Sequence, residues 1–128
     1  MIFNLNKFEI EDIVLGNKVT TPDGYHENGV YSYFVENSII KTINVRLSEF
    51  YSSGPIFTGQ ILIKNKLLQA DKKLQPIHVF PLFENQTDTW NDGVEVNYQF
   101  LIGNTGLEFS WNSENTNLIL NYISIELQ

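Results

Sequence analysis

The sequence predicts a mainly β fold: an antiparallel sheet curled into a sandwich or half-barrel, with room for one short N-terminal helix. Three observations carry that expectation. Apolar and polar residues alternate with a period of two over several stretches, which gives each strand one core-facing side. Short polar turns rich in Asn and Gly separate those stretches. The chain has 128 residues, without an internal repeat, low-complexity tract or linker, so residues 1–128 form a single β-rich domain.

From Lys7 to Leu15, "KFEIEDIVL" reads as a short helix with Phe8, Ile13 and Val14 inward. Asn6 would cap it and Gly16 would end it. The rival is alternation of Phe8, Ile10 and Asp12, which breaks at the aspartate. Asn28-Gly29 introduces a strand from Val30 to Glu36. Tyr31 and Tyr33 share one of its faces, opposite Val30 and Phe34. If Val30 and Phe34 are core, the tyrosines stand partly exposed; if both faces are covered, they simply pack.

"ENS" (36–38) turns into a strand from Ile39 to Leu47, with Ile39, Ile43, Val45 and Leu47 on one side. The block from Ile56 to Lys64 places Phe57, Gly59, Ile61 and Ile63 on one face. Glycine at such a position marks a bulge or a close backbone approach. "KNK" (64–66) is a turn, followed by a short strand at Leu67 to Gln69. Gln69 to Trp90 lacks clean periodicity. Pro81 argues against a central strand there, so Ile77 to Phe83 reads as an edge strand or an ordered loop.

The C-terminal stretch is a three-strand meander. Val94, Val96, Tyr98, Phe100 and Ile102 share one face, then "GNTG" (103–106) turns. Leu107, Phe109 and Trp111 share the next, and "NSENTN" (112–117) turns again. Ile119, Ile123, Ile125 and Leu127 close the meander. Asn121 falls on that apolar face, so it either bonds a neighbouring backbone or sits where the strand bulges.

Composition narrows the function classes. Net charge is -7, from eight basic and fifteen acidic residues. Nucleic-acid binders carry the opposite sign, because phosphate contacts dominate their affinity. An acidic surface attracts basic proteins and also keeps a protein soluble. The chain has no cysteine, which excludes disulfides and thiol chemistry and suits a reducing compartment. "MIFNLNKFEIEDIV" lacks the basic and apolar regions of a signal peptide, and no apolar run approaches the ~18 residues of a membrane-span candidate. The expected location is therefore cytoplasmic, and the sequon Asn85-Gln86-Thr87 carries no weight. Asparagine, with fifteen residues, suits tight turns.

Chemistry is sparse. His26 and His78 are the only histidines, and neither has a partner at metal-ligand spacing. His26-Glu27 precedes the strand that begins at Val30; adjacent residues of a strand face opposite ways and share a proton poorly. No Gly-x-Ser-x-Gly elbow is present, and Ser53 in "SSGP" is an ordinary loop serine. "DTWNDG" (88–93) invites a calcium reading, with Asp92 and Gly93 at EF-hand positions. Trp90 and Gln99 stand where ligands are needed, so an Asp-Gly turn leading into Val94 is favoured. "GNTG" lacks the lysine and helix of a phosphate cradle. No catalytic residue, no metal ligand and no cofactor is expected.

The order of these motifs resembles a family of small, uncharacterised bacterial proteins often encoded near polymorphic toxins and regarded as immunity-type. The resemblance rests on a Leu15-Gly16 end, "TPDGYHENGVYSYFVEN", "SIIKTINVRL", "GPIFTGQILIKNKLL" and "LEFSW…NLILNYISIEL", and spans about residues 9–127. In that family an aromatic-acidic pair stands where this chain has His26-Glu27. The resemblance implies a non-enzymatic protein that binds and neutralises a cognate toxin, a basic protein partner, with neither nucleic acid nor membrane involved. The expected contact surface pairs the acidic turns of Asp23, Glu27, Asp88 and Asp92 with Tyr25, Tyr31 and Trp90. Edge strands could also pair two copies into a homodimer. The alternatives are a small-molecule or lipid-binding β domain, whose sheets enclose a cavity, and a carboxylate-dependent hydrolase.

Overall fold

Alternating apolar side chains must be covered, and here two sheets cover each other. The computed structural model describes residues 1–51, 53–83, 86–114 and 117–128. In chain order the elements are β1 (Ile2–Asn4), β2 (Glu9–Ile10), β3 (Ile13–Val14), β4 (Gly24–Asn28), β5 (Tyr31–Glu36) and β6 (Ile39–Arg46). Then come β7 (Gln60–Ile63), β8 (Lys66–Gln69), α1 (Pro76–Val79) with a 3-10 turn at Phe80–Leu82, β9 (Gln86–Asn91), β10 (Glu95–Ile102), β11 (Thr105–Glu114) and β12 (Asn117–Leu127). The larger sheet runs β4-β5-β6-β12-β11-β10-β9, antiparallel throughout. The smaller runs β3-β2-β1-β7-β8, with β1 and β7 parallel. Neither closes into a barrel among the described residues. The fold is mainly β and sandwich-like, as the alternation predicts.

One hydrophobic core joins the two sheets. Val35, Ile43, Val45, Ile123, Ile125, Leu107, Phe109, Trp111 and Phe100 come from the larger sheet, and Phe3, Ile10, Ile61 and Ile63 from the smaller. The Trp111 indole N–H donates to the Leu74 carbonyl at 2.7 Å, which ties the segment before α1 to the sheet. No helix among the described residues is long and apolar enough to cross a membrane. Asn85 of the Asn85-Gln86-Thr87 sequon lies outside the described residues. So does the tip of "NSENTN", at 115 and 116; its flanks belong to β11 and β12.

Several elements differ from expectation. Lys7–Leu15 is not a helix. It forms β2 and β3, a tiny hairpin opened by Phe8 and Glu11, which hold left-handed φ of 54° and 52°. The one α-helix lies instead at Pro76–Val79, where an edge strand or loop was expected. Pro76 takes the first helical position, which suits its fixed φ. The His78 ring nitrogen Nδ1 accepts the Gln75 N–H at 3.2 Å.

Two bulges shift the alternation by one. Opposite Phe34 and Val35 the register skips Lys41, so Ile40 rather than Ile39 enters the core. Opposite Ser110 and Trp111 it skips Asn121, so Leu120 rather than Ile119 does. Asn121 is both bulged and bonded: its Oδ1 accepts the Ser48 hydroxyl at 2.6 Å. Val30 lies in the two-residue turn before β5, with Gly29 ahead of it at φ 70°. Tyr31 and Val35 face the core in its place.

Gly59 marks a close approach. A Cβ placed there would sit 2.0 Å from the Met1 carbonyl oxygen and 2.7 Å from the Phe57 ring. That carbonyl accepts the Gln60 N–H where β1 runs parallel to β7. Gly59→Ala therefore forces the parallel pair apart and should cost about 1–3 kcal/mol, as overpacking does. Urea unfolding of the two proteins measures it; an unchanged midpoint would remove the close approach as a constraint.

Candidate functional site

Residues paired across a sheet share a face, so the strand registers define the outer face of the larger sheet. One row crosses every strand: Glu27, Ser32, Asn44, Ser124, Glu108, Gln99, Asp88. A second runs Arg46, Tyr122, Ser110, Asn97, Trp90. A third runs Tyr25, Phe34, Thr42, Glu126, Gly106, Leu101. Glu36 and Glu95 lie at further outward positions. Arg46 and Lys18, which bridges to Ile39 beside Glu36, are the basic residues at the paired positions of this face among the described residues, and Lys41 sits unpaired at the β6 bulge. Lys7, Lys64, Lys66, Lys72 and Lys73 all belong to the smaller sheet or the segments flanking it.

Glu108 sits at the centre. Its Oε1 accepts the Tyr122 hydroxyl, and its Oε2 accepts the Gln99 amide at 2.8 Å. The Ser110 hydroxyl beside it donates to Asn97 Oδ1 at 2.5 Å. The segment after β6 crosses over this part of the face. It brings the Tyr51 ring to 5.6 Å from Tyr122, and its hydroxyl reaches Ser110 and Glu95. Burial, then the bond to Glu108, raises the Tyr122 pKa. Burial also raises that of Tyr51. The centre of the face is thus a set of tyrosines, carboxylates, a serine and amides, fixed in position by one another.

The expected surface residues divide between the two ends of this face. Tyr25 and Glu27 stand on β4, with Asp23 just ahead, at one edge; Asp88 and Trp90 stand on β9, with Asp92 just beyond, at the other. Six inter-strand steps of ~4.8 Å separate the edges, about 29 Å along the sheet. Tyr25 is 79% exposed and Trp90 59%, and both project from the outer face. Tyr31 does not: it is 1% exposed and packs in the core, so it leaves the surface group. It faces inward because the side it shares with Val35, opposite Phe34, is the one that pairs with core residues Val45 and Ile43 of β6.

Two of the acidic residues build turns. The Asp23 carboxylate accepts the Asn37 and Ser38 amides at 2.9 and 3.1 Å, holding the β5–β6 turn in its left-handed conformation. The Ser38 and Asn37 bonds, in that order, lower its pKa. The Asp92 carboxylate accepts the Val94 and Glu95 amides at 2.9 and 2.7 Å. Those of Glu95 and Val94, in that order, lower its pKa. "DTWNDG" is thus the end of β9 and the turn that follows it. No group of three or more His, Asp or Glu that could hold a metal occurs among the described residues.

His26 and Glu27 face opposite ways. The His26 Nε2 donates to the Pro22 carbonyl at 2.6 Å, and its ring stacks on Tyr33. Glu27 meets Arg46 at 3.5 Å on the outer face. The sequence reading passed over Tyr51, Glu95, Gln99, Glu108, Ser110 and Tyr122 as site residues. Most are the polar alternates of strands whose apolar positions were identified, and that complement was the signal. Tyr51 had none, because it reaches the face from a connecting segment.

No protein-family model matches the chain, and neither a curated protein nor a solved structure is detectably similar to it.

Tyr122 has a raised folded-state pKa, so its contribution to stability is complete below the ordinary tyrosine value of about 10 and is lost as pH rises through the folded value. Stability should therefore fall above about pH 10, and Tyr122→Phe should make that fall shallower. Urea midpoints measured from pH 8 to 11 test it; identical slopes for the two proteins would dismiss the Glu108–Tyr122 contribution.

Proposed function

We propose that the chain is a non-enzymatic binding protein of immunity type, which neutralises a cognate bacterial toxin domain by laying the acidic, aromatic-bearing outer face of its larger sheet over a basic surface. The observation that supports this reading is the separation of charge. Glu27, Glu36, Asp88, Glu95, Glu108 and Glu126 share a face with Arg46 and Lys18 alone among the paired basic residues, while most lysines lie with the other sheet. Such a field steers a basic partner and raises its association rate. Tyr25, Tyr51, Tyr122 and Trp90 supply the rigid aromatic area that carries affinity at interfaces, among serines and amides that adapt their hydrogen bonds.

The reading places the protein in the cytoplasm of the producing cell, away from membrane and nucleic acid. An acidic face repels phosphate backbones and can occlude a basic active site that would otherwise bind them. Two acidic faces also repel each other, so one copy covers one partner.

A second reading has its own observation. A cleft of about 330 Å³ at the end of the sandwich is lined by Leu5, Ile63, Leu82, Phe83, Leu101 and Ile102, with Lys64 in its wall. Its size falls in the range of small-ligand sites. Native mass spectrometry separates the two readings: a stoichiometric co-purifying ligand favours the cleft.

The test of the main reading uses the protein encoded beside this chain. Binding should weaken with salt, mainly through association rate. Glu95→Lys should slow association about tenfold at low salt. Trp90→Ala or Tyr51→Ala should weaken affinity by about thirtyfold, the scale of an interface hot spot. Surface plasmon resonance at two ionic strengths reads both. The absence of binding or protection against any neighbouring gene product would end the immunity reading.

A further inference from the structure

The hydrophobic core opens to solvent at one end of the sandwich, between the β7–β8 and β10–β11 turns. Leu5, Ile63 and Leu82, all buried core residues, line the depth of the cleft there, with Phe83, Ile102 and Gly103 beside them. Its volume of about 330 Å³ is room for about eleven water-sized groups at ~30 Å³ each, close to the size of an eight-carbon acid. A second hollow of about 300 Å³ adjoins it, sharing Ile63, Lys64 and Leu82 and adding Asn65, Lys66 and Pro81. Apolar surface left open to water in this way gains when a hydrocarbon covers it.

The charge around this opening has one sign. Neither hollow is lined by a carboxylate among the described residues, in a chain with fifteen acidic and eight basic residues. Lys64 lines both hollows and Lys66 lines the second. Lys66 pairs with buried Ile63, so it stands on the core-facing side of edge strand β8. Lys64 holds a left-handed φ of 52° in the β7–β8 turn. Its N–H donates to Asn6 Oδ1 at 2.6 Å and its carbonyl accepts the Asn6 amide at 2.9 Å, which fixes that turn against the β1–β2 connection. The one ion pair among the described residues joins Arg46 and Glu27, so neither lysine is held by a carboxylate there. An inward-facing lysine also guards an edge strand against pairing. That role accounts for Lys66 but not for Lys64, nor for the open apolar cleft beside it.

We infer that this end of the sandwich binds a single-chain aliphatic carboxylate, its hydrocarbon lying on Leu5, Ile63, Leu82 and Ile102 and its head group meeting Lys64 and Lys66. Lysine stems pack on apolar surface while their ammonium groups stay at the water boundary, where the head group of such an acid also sits. A carboxylate at that boundary gains charge-assisted hydrogen bonds, whereas a cationic head group meets like charge. Space for one short chain commits the site to a free acid rather than a two-chained membrane lipid. The site rests on the cleft reading given above and names its ligand; it is independent of the acidic outer face.

The test titrates the protein with octanoate, octanol and octyltrimethylammonium below their micelle range, following affinity by calorimetry and location by NMR. Octanoate should bind saturably, one per chain, with shifts at Ile63, Leu82, Phe83 and Ile102. It should bind about tenfold more tightly than octanol, the scale of one charge-assisted hydrogen bond, and more tightly still than the ammonium. Each buried methylene contributes roughly fourfold, so hexanoate should bind about tenfold more weakly than octanoate. Lys64→Gln combined with Lys66→Gln, both exposed positions, should abolish the preference for octanoate over octanol and leave octanol binding unchanged. If octanol binds the wild-type cleft as tightly as octanoate, the cleft reading stands and the assignment of an acid is overturned. If none of the three binds, or the shifts fall away from the cleft, both are overturned.

Discussion

The register of β12 against its two neighbours is the constraint on which the rest of the structure depends. β12 pairs with β11 from Thr105–Leu127 to Glu114–Asn117, and with β6 from Arg46–Tyr122 to Thr42–Glu126. It therefore sets the facing of three central strands at once. A slip of one residue would exchange faces along a whole strand. Glu108 and Ser110 would then lie against the smaller sheet, and Phe109 and Trp111 would meet water. The burial of Trp111, Phe109, Ile123 and Ile125 opposes that slip collectively, because each side chain loses on the order of 2 kcal/mol when exposed. The polar row from Glu27 to Asp88 is the other consequence of the same register. The outer face is ordered because the inner face is filled.

Alternation made the larger sheet legible. Leu107, Phe109, Trp111, Val96, Phe100, Ile123 and Ile125 are buried where a period of two puts them. What alternation could not reveal is where it breaks. A bulge adds one backbone residue and leaves no mark on side-chain type, so Ile39 and Ile119 read as core while Ile40 and Leu120 occupy it. The N-terminal hairpin was hidden for a related reason. Its turns rest on left-handed Phe8 and Glu11, residues without the local hydrogen bonding that lets Asn or Asp adopt that conformation. α1, at four residues, is shorter than the window in which helical periodicity can be read.

The outer face was legible only in part, and the reason is spatial. Exposed aromatics and acidic turns attract attention in a sequence, and Tyr25, Glu27, Asp88 and Trp90 do share the outer face. They stand on its two edge strands, because turns and exposed short strands border a sheet. The middle of the same face is contributed by residues that look unremarkable one at a time, such as Gln99, Glu108 and Ser110. Only pairing brings them together, and pairing is a property of strand order. β12 lies between β6 and β11 although the meander alone does not predict which strand adjoins it. Asp23 and Asp92 illustrate the opposite error. Each carries charge at an exposed turn, yet both oxygens of Asp23 and Oδ1 of Asp92 are committed to backbone amides, so each builds its turn before it offers anything to the surface.

The bulge at Asn121 connects the fold to the face. Leu120 and Tyr122 point to opposite sides of β12 and satisfy the core and the outer row respectively. The residue between them is the one that the bulge leaves without a cross-strand partner on β11. Its carbonyl accepts the Leu47 N–H at 2.8 Å and its Oδ1 accepts Ser48. Through both bonds it anchors the start of the segment that carries Tyr51 over Tyr122. The same bulge that lets Leu120 reach the core therefore holds the aromatic cover of the outer face in place. An apolar residue at 121 would fill the core more cheaply but would release Ser48. The amide is kept at the point where chain direction changes, because its Oδ1 holds Ser48 there. Burial of the unbonded Asn121 Nδ2 is the local cost of positioning Tyr51.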